Sequence, residues 1–135
     1  MALGTLAFAA PMMLLLVAAE DLDRDTARHF EKIADSVAMA ATCRQHDFDV
    51  DDAGIEEWKV KALDMAVTGG MSREDAQARL DEEIADEYER VQAEFNRAQQ
   101  MSHSRDHVMR FNRSMKRDCE RLAKDDLAGP YFAKS

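Results

Sequence analysis

The chain has 135 residues, with 27 Asp and Glu against 18 Lys and Arg and a formal net charge of −9. That length suits a single domain, and a net charge of that sign and size works against nucleic acid or anionic lipid as a partner of the whole surface. No internal repeat, low-complexity tract or alternating strand-like pattern is present, so the expected class is all-α.

Residues 1–19 carry no charged side chain. An apolar run over 3–17, interrupted by Pro11, leads into Val17-Ala18-Ala19 and then Glu20-Asp21. The stretch resembles a secretory signal peptide cut after Ala19, although no Lys or Arg precedes the apolar run. Kept as an anchor, it would still leave the acidic remainder outside the cytoplasm, because nothing basic follows to hold it inside. The expectation is a periplasmic or secreted protein whose residues 20–135 form one all-α domain, with no stable membrane association after cleavage.

The first helix is expected from 25 to about 46, with Ala27, Phe30, Ile33, Ala34, Val37 and Ala41 on its apolar stripe. Its second half, 37–43, is small or apolar all round, as in a helix surrounded by others. An acidic loop follows. Asp47, Asp49 and Asp51 match the first three ligand positions of a calcium loop, but Asp52 stands where glycine is needed and Trp58 where the bidentate glutamate belongs. Asp51 or Asp52 capping the next helix is the simpler account. That short helix has Ile55, Trp58, Ala62, Leu63, Ala66 and Val67 on its inward side and stops at Gly69-Gly70.

Ser72 then opens a long arm, with Asp75 three residues on as a variant of the capping box. Ala76, Leu80, Ile84, Tyr88, Val91, Phe95 and Ala98 recur at steps of three and four and place one side of this arm in the core. The rhythm breaks over 99–104, where Ser102 or Ser104 can cap a second arm. That arm carries Val108, Phe111, Met115, Cys119 and Leu122 on one stripe, with Arg110, Arg113, Arg117, Arg121 and Lys124 opposite. A long antiparallel hairpin over 72–124 is expected. After it, Gly129-Pro130 ends any helix, and Tyr131 and Phe132 should fold back over a bundle end.

Two cysteines in an oxidising compartment are most simply one disulfide, Cys43–Cys119. To bring both helix ends together, the first and last helices are expected to run parallel with the 72-onward arm antiparallel between them. The helix around Trp58 is then a short connector crossing one end. The expected architecture is a small bundle of three long helices plus that short crossing helix.

His103 and His107 are four apart, the spacing two metal ligands take on one helix face. Met101 and Asp106 lie nearby and would extend the set toward a transition metal. Solvated histidines and core methionines explain the same residues, so no cofactor is expected. Cys43-Arg44-Gln45-His46 lacks the second cysteine of a haem-attachment motif. No nucleophile elbow, phosphate loop or triad spacing is present. The functional expectation is a non-enzymatic interaction protein that binds a protein partner, in the manner of a small chaperone, an inhibitor or an immunity-type protein. Trp58 and the Arg110, Arg113, Arg117 and Arg121 stripe are its possible contact surface. The alternative is a periplasmic metal-binding or metal-sensing protein using His103 and His107.

Overall fold

A computed structural model describes residues 22–135. The expected signal segment and its cleavage point after Ala19 lie outside these residues. Among these described residues the fold has four helices: α1 (Arg24–Gln45), α2 (Asp52–Thr68), α3 (Arg73–Gln100) and α4 (Arg105–Lys124). Two short strands, β1 (Phe48–Val50) and β2 (Phe132–Lys134), complete it. The class is all-α, and the chain closes the Cys43–Cys119 disulfide with the two Cα atoms 5.5 Å apart.

Each helix starts on an oxygen-bearing side chain that accepts a hydrogen bond from an otherwise unpartnered amide of the first turn. Asp23 accepts from Thr26, Asp51 from Gly54, Ser72 from Asp75 and Ser104 from His107. Of the offered alternatives, Asp51 rather than Asp52 and Ser104 rather than Ser102 are the caps. Removing one such acceptor costs about 1 kcal/mol, so Asp51→Ala should lower the urea midpoint measurably while leaving the fold intact. The break between α2 and α3 uses Gly70 at φ 105°, a conformation that side chains with a Cβ seldom take.

α1 is the central element. Its second half is buried on nearly every side: Ala38, Met39, Ala40, Thr42 and Cys43 are all buried. α2, α3 and α4 each pack against it. Phe30, Ile33, Leu80, Ala62, Ala66, Met115 and Leu122 join it in one core. Ala41, Val67 and Tyr88, which the helical period places inward, are exposed. The period gives the direction of a side chain but not whether a neighbour reaches that far along the helix.

The order of the helices differs from expectation. Trp58 meets His29 and Asp52 meets Arg44, so α2 runs back along α1 rather than crossing a bundle end. Glu83 lies beside Glu31 and Glu87 beside Asp35, so α3 runs in the same sense as α1. Asp125 pairs with Lys32 at 3.5 Å while Cys119 joins Cys43, so α4 runs opposite to α1. The sequence is therefore up-down-up-down, and the first and last helices are antiparallel, not parallel. One covalent link fixes the proximity of two points and says nothing about helix direction, and Cys119 lies inside α4 rather than at its end. The long 72–124 hairpin is likewise not shown as a paired unit, since α3 packs chiefly along α1.

The tail packs against α2 and α4. Asp125 accepts hydrogen bonds from the amides of Leu127 and Ala128, both at 2.9 Å, which turns the chain after α4. β2 then pairs antiparallel with β1, Phe48 opposite Lys134 and Val50 opposite Phe132. The acidic loop thus contributes a strand: Asp47 takes a left-handed conformation (φ 66°), Asp49 lies on the strand and is exposed, and Asp51 caps α2. These three do not converge as calcium ligands.

Candidate functional site

The segment from Gln92 through Ser114, covering the end of α3 and the start of α4, contains no buried residue. Apolar residues are not lacking there. Phe95 and Phe111 meet edge to face, ring centres 5.1 Å apart, and both stay part-exposed. Met101 is 39% and Met109 46% exposed. Aromatic pairs of this geometry add about 1 kcal/mol beyond their burial, a local tie between the two helix ends. Between them lies a groove of about 410 Å³, with Ala98, Met101, Phe111 and Met115 as apolar lining and Glu94, Arg97, His107 and Arg110 as polar lining.

A second cleft of about 350 Å³ opens between α1, α3 and α4, lined in part by Lys32, Asp35, Arg90, Asp118 and Asp125. Partial burial and the adjacent Glu87 carboxylate push Asp35 up to about 6 from 3.8. Burial and nearby Glu31 raise Glu83 as well, against the pull of Arg79. Arg90 neutralises part of this cluster through Glu87 at 2.9 Å and Glu94 at 2.7 Å. A carboxyl held harder in its protonated form by the fold stabilises the folded state below its ordinary pKa. That contribution is lost as pH rises from about 4 through 6. Asp35→Asn should therefore stabilise the protein by about 1 kcal/mol at pH 7.5, once the shift is discounted for the group's partial exposure. The gain should shrink toward zero at pH 4, as read from urea unfolding at the two pH values.

The expected site residues are placed as follows. Trp58 is 4% exposed and belongs to the core, so it is not part of a contact surface. Its indole N–H donates to Nδ1 of His29 at 2.8 Å, and its ring stacks on Tyr131 at 5.0 Å. Folding the tail back is what covers it. His103 precedes the Ser104 cap and lies in the turn, whereas His107 is inside α4. The spacing of four therefore does not put both rings on one helix face. Nδ1 of His107 lies 2.9 Å from the Arg110 guanidinium, which disfavours a cation at that nitrogen. Met101 caps the end of α3 and Asp106 is exposed on the first turn of α4. Among the described residues no three His, Cys, Asp or Glu side chains converge to hold a metal ion. Added zinc, nickel or copper should leave the melting temperature unchanged, and a rise abolished by His103→Ala with His107→Ala would contradict this placement.

Arg110, Arg113, Arg117 and Arg121 are all exposed on the outer side of α4. No ion pair joins residues four apart within α4 among the described residues. Arg121 pairs with Asp118 instead, the one ion pair made by a cation of α4 among the described residues. Sequence reasoning missed the Asp35–Glu87 cluster because its members lie on different helices. The available signal was a carboxylate at Asp35 inside the otherwise small and apolar 33–43 stretch. No family model matches the chain, and no curated protein or solved structure shows significant similarity to it.

Proposed function

We propose that this is an extracytoplasmic, non-enzymatic binding protein that holds a protein partner at the uncovered end of α3 and α4. The observation that supports it is the 92–114 segment, in which no residue is buried although Phe95, Met101, Val108, Met109 and Phe111 all lie there. Exposed apolar surface rimmed by charge marks interaction sites on soluble proteins. Methionine at such a surface adapts to apolar partners of varied shape. The groove presents thioether and aromatic groups edged by Glu94, Arg97, His107 and Arg110, a mixed surface suited to docking a partner. A small chaperone, an inhibitor or an immunity-type protein all fit this description. The location, periplasmic or secreted, is supported by the buried disulfide, a bond that persists in oxidising compartments.

The test is a photoreactive benzophenone side chain placed at Met101 in the groove or at Glu57 on the exposed side of α2, irradiated in the compartment to which the cell delivers the protein. A discrete adduct is expected at position 101 and not at 57, and Phe111→Ala within the groove should reduce it several-fold. Equal labelling at both positions, or none at 101, counts against the groove as the binding site.

A further inference from the structure

Two faces of opposite charge lie on neighbouring helices without ion-pair partners among the described residues. Between residues 97 and 124 the chain has eight Lys and Arg against three Asp and Glu, a surplus of five positive charges inside a chain of net charge −9. Of the cations on α4 only Arg121 makes an ion pair among the described residues. On α3 the carboxylates divide cleanly. Glu83, Glu87 and Glu94, which are part-buried, pair with Arg79 and Arg90. Glu82, Asp86 and Glu89 are exposed and make no ion pair among the described residues.

The spacing of the two unpaired sets matches. Glu82, Asp86 and Glu89 follow steps of four and three, and Arg110, Arg113 and Arg117 follow steps of three and four. Each set therefore forms one stripe on its helix, about 10 Å long. Read in opposite directions the two stripes have the same intervals. Met109, 46% exposed, borders the basic stripe beside Arg113 and adds apolar area to it.

We propose that the basic stripe of α4 docks on the acidic stripe of α3 in a second copy of this chain. Every copy carries both stripes, so two such contacts related by a two-fold axis close a pair. The overall negative charge repels the approaching copies, but at physiological ionic strength that repulsion is screened beyond about 8 Å. At contact the local, opposite charges dominate. The basic stripe shares Arg110 with the Met101 groove, and the variants below leave Arg110 in place, so the proposal is tested independently of the partner-binding role.

The experiment is sedimentation velocity on the protein purified with its disulfide intact, at 0.15 M salt and up to 200 µM on the order used for contacts of this strength. The wild type should associate into dimers. Two charge-reversed variants, Arg113→Glu with Arg117→Glu and Asp86→Lys with Glu89→Lys, should each weaken association at least about tenfold, corresponding to roughly 1.4 kcal/mol. All four positions are exposed, so unchanged circular dichroism should accompany the change. Mixing the two variants should restore the dimer, because the reversed charges then face each other. A monomeric wild type at every concentration overturns the proposal, as does a mixture that stays monomeric. Binding of a polyglutamate peptide to a monomeric wild type would instead assign the α4 face to an acidic partner.

Discussion

Replacing both Cys43 and Cys119 with alanine should lower the unfolding free energy by about 4.5 kcal/mol. The value follows from the entropy that a link across some 76 residues removes from the unfolded chain. Both sulfurs are fully buried, between α1 and α4. The bridge is therefore shielded from solvent reductants until the core opens. Against a usual domain stability of roughly 5–15 kcal/mol, a loss of this size leaves a marginal protein. The effect should be read by urea unfolding of the double variant, with the oxidised wild type showing no thiol alkylation before reduction. A loss below about 1 kcal/mol would mean that the antiparallel packing of α4 on α1 survives without the link, and that the Lys32–Asp125 pair, a second pair between Arg28 and Asp126 at 2.7 Å, and the tail suffice to hold it.

Trp58→Ala should cost about 3–5 kcal/mol, the range for emptying a large aromatic site in a core. Trp58 is where α1, α2 and the tail meet: it donates to His29, stacks on Tyr131 and is 4% exposed. Its removal should free the C-terminal strand before the helices. Hydrogen exchange at Phe132–Lys134 should speed up more than exchange in α1. Trp58→Phe keeps a ring to stack on Tyr131 and loses the hydrogen bond to His29, a change of about 1 kcal/mol. A small loss in the alanine variant with unchanged exchange in β2 would show that the strand pairing, and not the stacked ring, anchors the tail.

Local features were legible because their causes are local. The caps at Asp51 and Ser72, the stop at Gly69-Gly70, the stripe Phe30–Ile33–Ala34 and the turn after residue 100 each depend on residues within one or two turns of each other. The crowded second half of α1 was legible for the same reason, since small side chains on every side of a helix make sense only among close neighbours. The pairing of Cys43 with Cys119 followed from there being two cysteines to pair.

Long-range features were not. One local choice was not either: Ser102 and Ser104 both offered a cap, and only Ser104, lying between His103 and His107, takes that pair off one helix face. Trp58 reads equally as core or contact surface until the tail is placed over it. Strand β1 is three residues drawn from an acidic loop, and it exists because β2 supplies the hydrogen-bond partners at the far end of the chain.

By itself the sequence determined the helices, where they start and stop, the direction each apolar stripe points and the single disulfide, because backbone hydrogen bonding and side-chain periodicity act over a few residues. Only the tertiary structure decided the up-down-up-down order, the burial of Trp58, the pairing of Asp35 with Glu87 and the uncovered end from Gln92 to Ser114. Each of these depends on which helix lies beside which and over what length. That is set by the summed packing of all four helices on α1, a quantity that no local stretch of chain contains.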